Sequence, residues 1–122
     1  MVDQAELAAR WRALGAEVAD GMAAWRAAHP RASLREIEAA LDELWLGARA
    51  RILEGAAAAS PLADVPAARA AGVAVDCPRC GAALEGRGRE VRRLTTRGDR
   101  ALAVARSYAA CPACGAGLFP PG

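Results

Sequence analysis

The chain has 122 residues, of which 34 are alanine and 16 are arginine, and it contains no lysine. Its 54% hydrophobic and 25% charged residues are typical of a globular protein, which excludes wholesale disorder and collagen-like repeats. The formal net charge is only +2, and no apolar run reaches the roughly 18 residues that a membrane span needs. We therefore expect a cytoplasmic protein that does not contact a membrane.

Charge and cysteine content both change near residue 75. Residues 1–75 hold eight arginines against ten acidic residues, whereas residues 76–122 hold eight arginines against four and contain all four cysteines. We therefore expect three parts: a helical hairpin over residues 1–55, an Ala-rich linker over residues 56–75 and a cysteine module over residues 76–122.

The first helix is predicted between Asp3 and Ala28, where large apolar residues recur every three or four positions. These residues are Leu7, Trp11, Leu14, Val18, Met22 and Trp25. The pattern stops at His29 and Pro30, because a residue that precedes proline avoids helical backbone angles. We expect His29, the only histidine, to cap this helix rather than bind a ligand.

A second helix is predicted to begin after Ser33, which can form a capping box with Glu36. Its apolar stripe contains Leu34, Ile37, Leu41, Leu44, Ala48 and Ile52, and Gly55 is a plausible end. Because neither helix can bury its stripe alone, we expect an antiparallel pair that serves self-association or docking.

Residues 29–41 also allow a different interpretation, in which they form the turn and recognition helix of a helix-turn-helix. We favour the helical pair, because the second helix is long, alternates acidic residues with arginine and lacks a basic face.

The four cysteines form two copies of one motif, Cys-Pro-x-Cys-Gly, at residues 77–81 and 111–115. Proline bends the chain after the first cysteine, and glycine permits the positive φ that closes the loop. Two such loops face to face give the four-thiolate arrangement of structural zinc, so we predict Zn²⁺ at Cys77, Cys80, Cys111 and Cys114. Disulfides are disfavoured, because thiols stay reduced in the cytoplasm.

A β-hairpin is predicted between the two cysteine pairs, with strands over residues 87–96 and 101–109 and a turn over residues 97–99. Val91 and Leu94 are an odd number of positions apart, so their side chains would point to opposite faces of a regular strand. We therefore expect a bulge or a change of register in the first strand. Two cysteine loops around a hairpin define a zinc ribbon. The predicted fold class is therefore α+β, an antiparallel helical hairpin followed by a small C-terminal zinc ribbon.

Seven arginines crowd the predicted hairpin, and guanidinium groups on a β-ribbon can neutralise phosphates. We therefore predict nucleic-acid contacts by Arg87, Arg89, Arg92, Arg93, Arg97, Arg100 and Arg106. The simpler interpretation is a solvated face in a protein whose basic residues are all arginine.

Two other kinds of protein use the same cysteine pattern. A rubredoxin-like electron carrier holds iron in place of zinc, although this module is basic and has only Tyr108 and Phe119 to shield a redox centre. A zinc ribbon can also act as an adaptor that docks on an acidic protein partner.

Residues 77–122 closely resemble the N-terminal zinc-ribbon region of bacterial insertion-sequence transposases of the Kra type. That family has a CPxCG loop, a Gly-Arg-rich strand, a Thr/Gly turn, an Arg-Tyr strand, a second CPxCG loop and a Phe-Pro tail. The ending RSYAACPACGAGLFPPG is the most specific part of the resemblance, and residues 29–56 look like the helical segment that precedes the ribbon in the family. The resemblance implies zinc at the four cysteines and recognition of transposon-end DNA.

Catalysis is the point at which this chain departs from the family. Family members continue into an RNase H-like core whose acidic residues bind metal and cut DNA, whereas this sequence stops at Gly122 and holds no such acidic constellation. We therefore expect DNA binding without cleavage, and no enzymatic activity.

Overall fold

The computed structural model describes residues 3–60 and 63–119. Its elements are α1 (Gln4–Ala28), α2 (Leu34–Ala58), α3 (Val65–Ala70), β1 (Glu85–Thr96), β2 (Arg100–Ala110) and β3 (Gly117–Leu118). The strands form one antiparallel sheet in the order β1-β2-β3, so the predicted α+β class is confirmed. No helix in the described ranges is long and apolar enough to cross a membrane. Pro61 of the expected linker and residues 120–122 of the expected Phe-Pro tail lie outside the described residues.

Helix α1 has the two ends that the sequence predicts. The Asp3 carboxylate accepts a hydrogen bond from the Ala5 N–H at the start of the helix. At the other end His29 is the C-cap, where its ring lies over Trp25 and its Nδ1 is 2.8 Å from the Trp25 carbonyl oxygen. The capping role expected for the single histidine is confirmed.

Helix α2 begins at the predicted capping box. The Ser33 hydroxyl accepts from the Glu36 N–H and donates to the Glu36 carboxylate. The helix does not end at Gly55, as the sequence suggested, but continues to Ala58. Gly55 is instead a packing position, since a Cβ added there would lie 3.0 Å from the side chain of Leu7.

The two long helices pack antiparallel. Gly55, near the end of α2, faces Leu7, near the start of α1. Gly21, late in α1, faces Leu44, so the order of the contacts is reversed along the second helix. An exposed ion pair between Arg51 and Glu17 lies between these two positions. Glycines at the contacts allow the helix backbones to approach closely.

The described residues form two compact units. The helical unit contains residues 3–55 and 95–102, and the cysteine unit contains residues 56–60, 63–94 and 103–119. Residues 95–102, at the tip of the hairpin, pack within the helical unit. Thr96 accepts a hydrogen bond from Arg49, and Arg100 forms an ion pair with Glu43.

The hairpin between β1 and β2 closes in a tight turn. Gly98 and Asp99 both have positive φ, 74° and 56°, within the three-residue turn Arg97–Asp99. Gly88 has a φ of 93° inside β1, the backbone geometry that a bulge uses. The buried side of β2 also changes phase, from Leu102 and Val104 to Ser107 and Ala109.

The core of the cysteine module does not include the two large apolar residues of β1. Val91 and Leu94 are 60% and 42% exposed. The buried cluster instead surrounds the cysteine loops and contains Val65, Ala68, Val75, Cys77, Leu84, Ala109 and Cys111. Three of these residues precede residue 76, so the segment expected as a linker supplies part of this core. Strand β1 is exposed along almost its whole length, and the short helix α3 instead contributes Val65 and Ala68 to the cluster.

Candidate functional site

The structure brings the four predicted cysteines together. Their Sγ atoms all lie within 4.8 Å of one another, and none of the four is in a disulfide. Cys77 Sγ lies 3.7 Å from Cys114 Sγ, and Cys80 Sγ lies 3.4 Å from Cys111 Sγ. Four sulfurs bound tetrahedrally at 2.3 Å from a zinc ion would be about 3.8 Å apart. The cluster could therefore hold a metal ion, and its dimensions suit one with four thiolate ligands.

The two cysteine loops have the same backbone structure. In the first, the Gly81 N–H donates to the Cys77 carbonyl at 2.8 Å, and in the second the Gly115 N–H donates to the Cys111 carbonyl at 2.9 Å. The glycines have φ of 76° and 75°, so the positive φ predicted from the motif is confirmed in both loops.

The repeat extends beyond the motif that sequence analysis identified. Residues 77–84 read CPRCGAAL and residues 111–118 read CPACGAGL. Asp76 pairs with Ala83 in an antiparallel bridge, and Ala110 pairs with Gly117 in the matching place. The leucine that ends each copy packs in the buried cluster, with Leu84 fully buried. Extending the repeat by three residues would have found Leu84 from the sequence.

Backbone N–H groups of the loops stabilise negative charge on the sulfurs. Cys114 N–H donates to Cys111 Sγ at 3.5 Å and lowers the pKa of the Cys111 thiol to about 6. Hydrogen bonds from the N–H groups of Arg79 and Cys80 likewise lower the pKa of Cys77. One thiol of each loop is therefore predisposed to act as a thiolate ligand.

Cys80 shows the opposite shift. A hydrogen bond from the Ala82 backbone lowers the pKa of the Cys80 thiol, but the hydrogen bond shared with the Cys111 thiol and the desolvation of the sulfur outweigh this and raise the pKa to about 12. Four neighbouring thiolates repel one another, so the free-energy cost of ionising all four thiols is high when no cation is bound. A bound cation removes this cost by neutralising the negative charges.

Four of the seven predicted contact arginines lie on β1. This strand is at the edge of the sheet, and its residues are exposed along almost its whole length. Arg87 forms an exposed ion pair with Glu85, and the Arg92 guanidinium lies 4.8 Å from the centre of the Phe119 ring. No partner is found among the described residues for Arg89 or Arg93. These two side chains are free to bind a ligand.

The other three predicted arginines have different surroundings. Arg97 is exposed at the tip of the hairpin, next to α2. Arg100 is paired with Glu43 and is not a free cation. Arg106 is partly buried in β2, and two of its guanidinium nitrogens have no hydrogen-bond partner within the part of the chain that the structure describes. The seven side chains therefore do not form one continuous patch.

Sequence analysis missed the contacts that attach α3 and the tail to the sheet. The Ser107 hydroxyl is buried and accepts a hydrogen bond from the Val65 N–H at 3.0 Å. Phe119 packs edge-to-face against Tyr108, with ring centres 5.4 Å apart. The sequence gives no sign that Ser107 accepts this hydrogen bond, because the Val65 N–H needs an acceptor only when α3 packs against the sheet.

Comparison of the chain with models of protein families, with characterised proteins and with solved structures finds no match.

Proposed function

We propose that this chain is a zinc ribbon that binds DNA and does not cut it, as in the N-terminal region of insertion-sequence transposases. The observation that carries the proposal is strand β1, an exposed edge strand with four arginines, in the same unit as the four-cysteine cluster. The expected target is transposon-end DNA.

The donor set fits zinc or iron, and the surroundings of the cluster favour zinc. Four thiolates are soft ligands, and tetrahedral S₄ sites are typical of zinc and of iron. Residues 76–122 contain only two aromatic side chains, Tyr108 and Phe119, to shield a redox centre. Such limited shielding favours a structural zinc ion over a rubredoxin-like iron centre. When bound, Zn²⁺ supplies a fixed cross-link between the two loops.

Arg89 and Arg93 are the side chains best suited to bind phosphate. They are four residues apart in a strand, so they lie on the same face. Both are exposed, and neither is engaged by an acidic residue that the structure describes. Each phosphate neutralised by such a group releases condensed counterions, which makes the affinity depend on salt.

A protein partner is the second candidate, because of two apolar side chains on the same strand. Val91 and Leu94 are 60% and 42% exposed on an edge strand whose outer backbone groups face no other strand of the sheet. Such an edge can accept an extended segment as an additional strand, and the surrounding arginines favour an acidic one.

Fluorescence anisotropy with labelled duplex DNA across a series of salt concentrations tests the DNA proposal. We expect log K to fall linearly with log salt concentration. The double variant Arg89→Gln with Arg93→Gln should bind all duplex sequences more weakly and lower the magnitude of the salt slope by about 2. Arg92 is left unchanged because its guanidinium also packs on Phe119.

The matched control is the double variant Arg10→Gln with Arg12→Gln, which changes the net charge equally at two exposed positions of α1. Binding by this control should equal that of the parent protein. Equal losses in both double variants would show non-specific attraction to a cationic protein and would contradict a DNA site on β1. No change in anisotropy with duplex DNA, together with binding of an acidic extended peptide, would favour the protein-binding adaptor.

Native mass spectrometry of the gently purified protein tests the metal. We expect a mass increase of one Zn²⁺ and a colourless solution. A red protein that carries iron would overturn zinc, and a metal-free protein with bridged thiols would overturn the ribbon itself.

A further inference from the structure

The helical unit buries little of its own apolar surface. Its two helices have 25 residues each, yet among their described residues only Leu7, Val18, Ala48 and Ala50 are buried. Trp45, in the middle of α2, is 50% exposed. Large exposed aromatic side chains beside other apolar groups mark interaction surfaces.

Two apolar grooves flank Trp45. The first, which we call the α2 groove, has a volume of about 600 Å³, with Leu46, Ile52 and Leu53 among its lining side chains. The second, which we call the interhelix groove, has a volume of about 530 Å³ and lies between α1 and α2, where Val18 and Met22 line it. Trp45 contributes to both grooves and therefore forms a ridge between them.

We infer that this surface binds a second copy of the same chain, so that the protein is a two-fold symmetric dimer. An apolar ridge beside an apolar groove is complementary to a second copy of itself. Trp45 of one copy enters the α2 groove of the other copy, and Trp45 of that copy enters the α2 groove of the first. A two-fold interface is built in this way, from one patch that faces itself.

Charges at the rim of the α2 groove favour the same occupant. Asp42 lies at one end, and Arg49 and Arg97 lie at the other. Since Trp45 and Leu46 lie midway between Asp42 and Arg49, antiparallel pairing of two α2 helices places the acidic end of each groove against the basic end of the other. A groove that binds a uniformly acidic or uniformly basic partner would have rim charges of one sign only.

The spacing of these residues agrees with helix–helix pairing. Positions 42, 45, 49 and 52 are three, four and three residues apart, the interval at which side chains of one helix pack into those of another. This inference concerns the helical unit and does not depend on DNA binding.

Light scattering during size-exclusion chromatography, across a dilution series of the full chain, tests the inference. We expect a dimer that dissociates to a monomer on dilution. Trp45→Ala should weaken the dimer about thirtyfold, the loss typical of a tryptophan at the centre of an interface. A parent protein that is monomeric at every concentration, or that grows into open-ended assemblies, would overturn the inference.

Asp42→Arg provides a second variant at an exposed position, where the fold is not at risk. It should also weaken the dimer, because like charges would then face each other across the two-fold axis. Asp20→Arg is the matched control: it makes the same charge change at an exposed position of α1 that lines neither groove. Equal weakening by both charge variants, or weakening by neither, would overturn the assignment of this surface. Circular dichroism checks that each variant keeps its helices.

Discussion

At the scale of single residues, glycines at positive φ fix the turns of this protein. Gly81 and Gly115 close the two cysteine loops, and a Cβ at either position would meet open space. Gly98 differs, because it also lies against α2 within the helical unit. A Cβ added to Gly98 would be 2.6 Å from Leu46 Cδ1. Its hydrogen side chain thus serves both the turn and the packing of the hairpin tip.

Gly98→Ala should therefore destabilise the helical unit in two ways. A left-handed backbone conformation costs a residue with a Cβ about 1–2 kcal/mol. Crowding against the end of the partly buried Leu46 side chain should add about 1 kcal/mol, the low end of the cost of overpacking. Denaturant unfolding followed by circular dichroism measures the total. In a Leu46→Ala background the same substitution should cost only the backbone part, so equal costs in both backgrounds would contradict the packing role.

At the scale of elements, α3 is attached to the sheet by one buried polar contact and a few apolar ones among the residues that the structure describes. The Asp64 carboxylate caps α3 by accepting from Ala67 N–H, and the Val65 N–H donates to the Ser107 hydroxyl. A six-residue helix is too short to be stable alone. Its presence beside the cysteine loops therefore depends on Val65, Ala68 and the Ser107 hydroxyl.

Ser107→Ala should detach α3, because it leaves the buried Val65 N–H without an acceptor. Such a loss costs about 1–3 kcal/mol of unfolding free energy. Hydrogen exchange should show faster exchange at the amides of residues 65–71 and little change in α1. Thr95→Ala removes a hydroxyl from an exposed position of β1 and should change stability by less than about 0.5 kcal/mol. Unchanged protection of α3 in Ser107→Ala would show that apolar contacts alone hold this helix.

At the scale of the whole molecule, the two units depend on different interactions. The helical unit packs two long helices directly on each other, with contacts such as Gly21 against Leu44. The cysteine unit has a small buried cluster in which two of the seven members are cysteines. Structural zinc sites contribute about 10–16 kcal/mol to folding near neutral pH, enough to stabilise a core of this size.

Removal of the proposed metal by a chelator should unfold the cysteine unit and leave α1 and α2 folded. Since these two helices hold 50 of the 56 helical residues described, the helical circular dichroism signal should persist almost entirely. Trypsin should then cut after Arg106, which is partly buried in β2, while Arg51 in α2 stays protected. Added Zn²⁺ should restore resistance at Arg106. Resistance that survives chelation would show that the unit folds without metal.

Local patterns determined much of this protein from the sequence alone. The apolar spacing, the capping box at Ser33 and the proline that follows His29 indicated where both long helices start and where the first one ends, because such signals act within one helical turn. The repeated cysteine motif gave the four members of the cluster, and the turn glycine Gly98 gave the hairpin. Each of these signals depends on neighbours in the chain.

Only the tertiary structure decided which surfaces are covered. The continuation of α2 past Gly55, the exposure of Val91 and Leu94, and the pairing of Arg100 with Glu43 all depend on residues distant in sequence. Burial is a property of the neighbours that reach a side chain, and strand periodicity cannot say whether any element lies over a given face. The sequence therefore determined the helices, the turn and the four sulfurs, whereas three-dimensional packing determined the core around them and which arginines remain free.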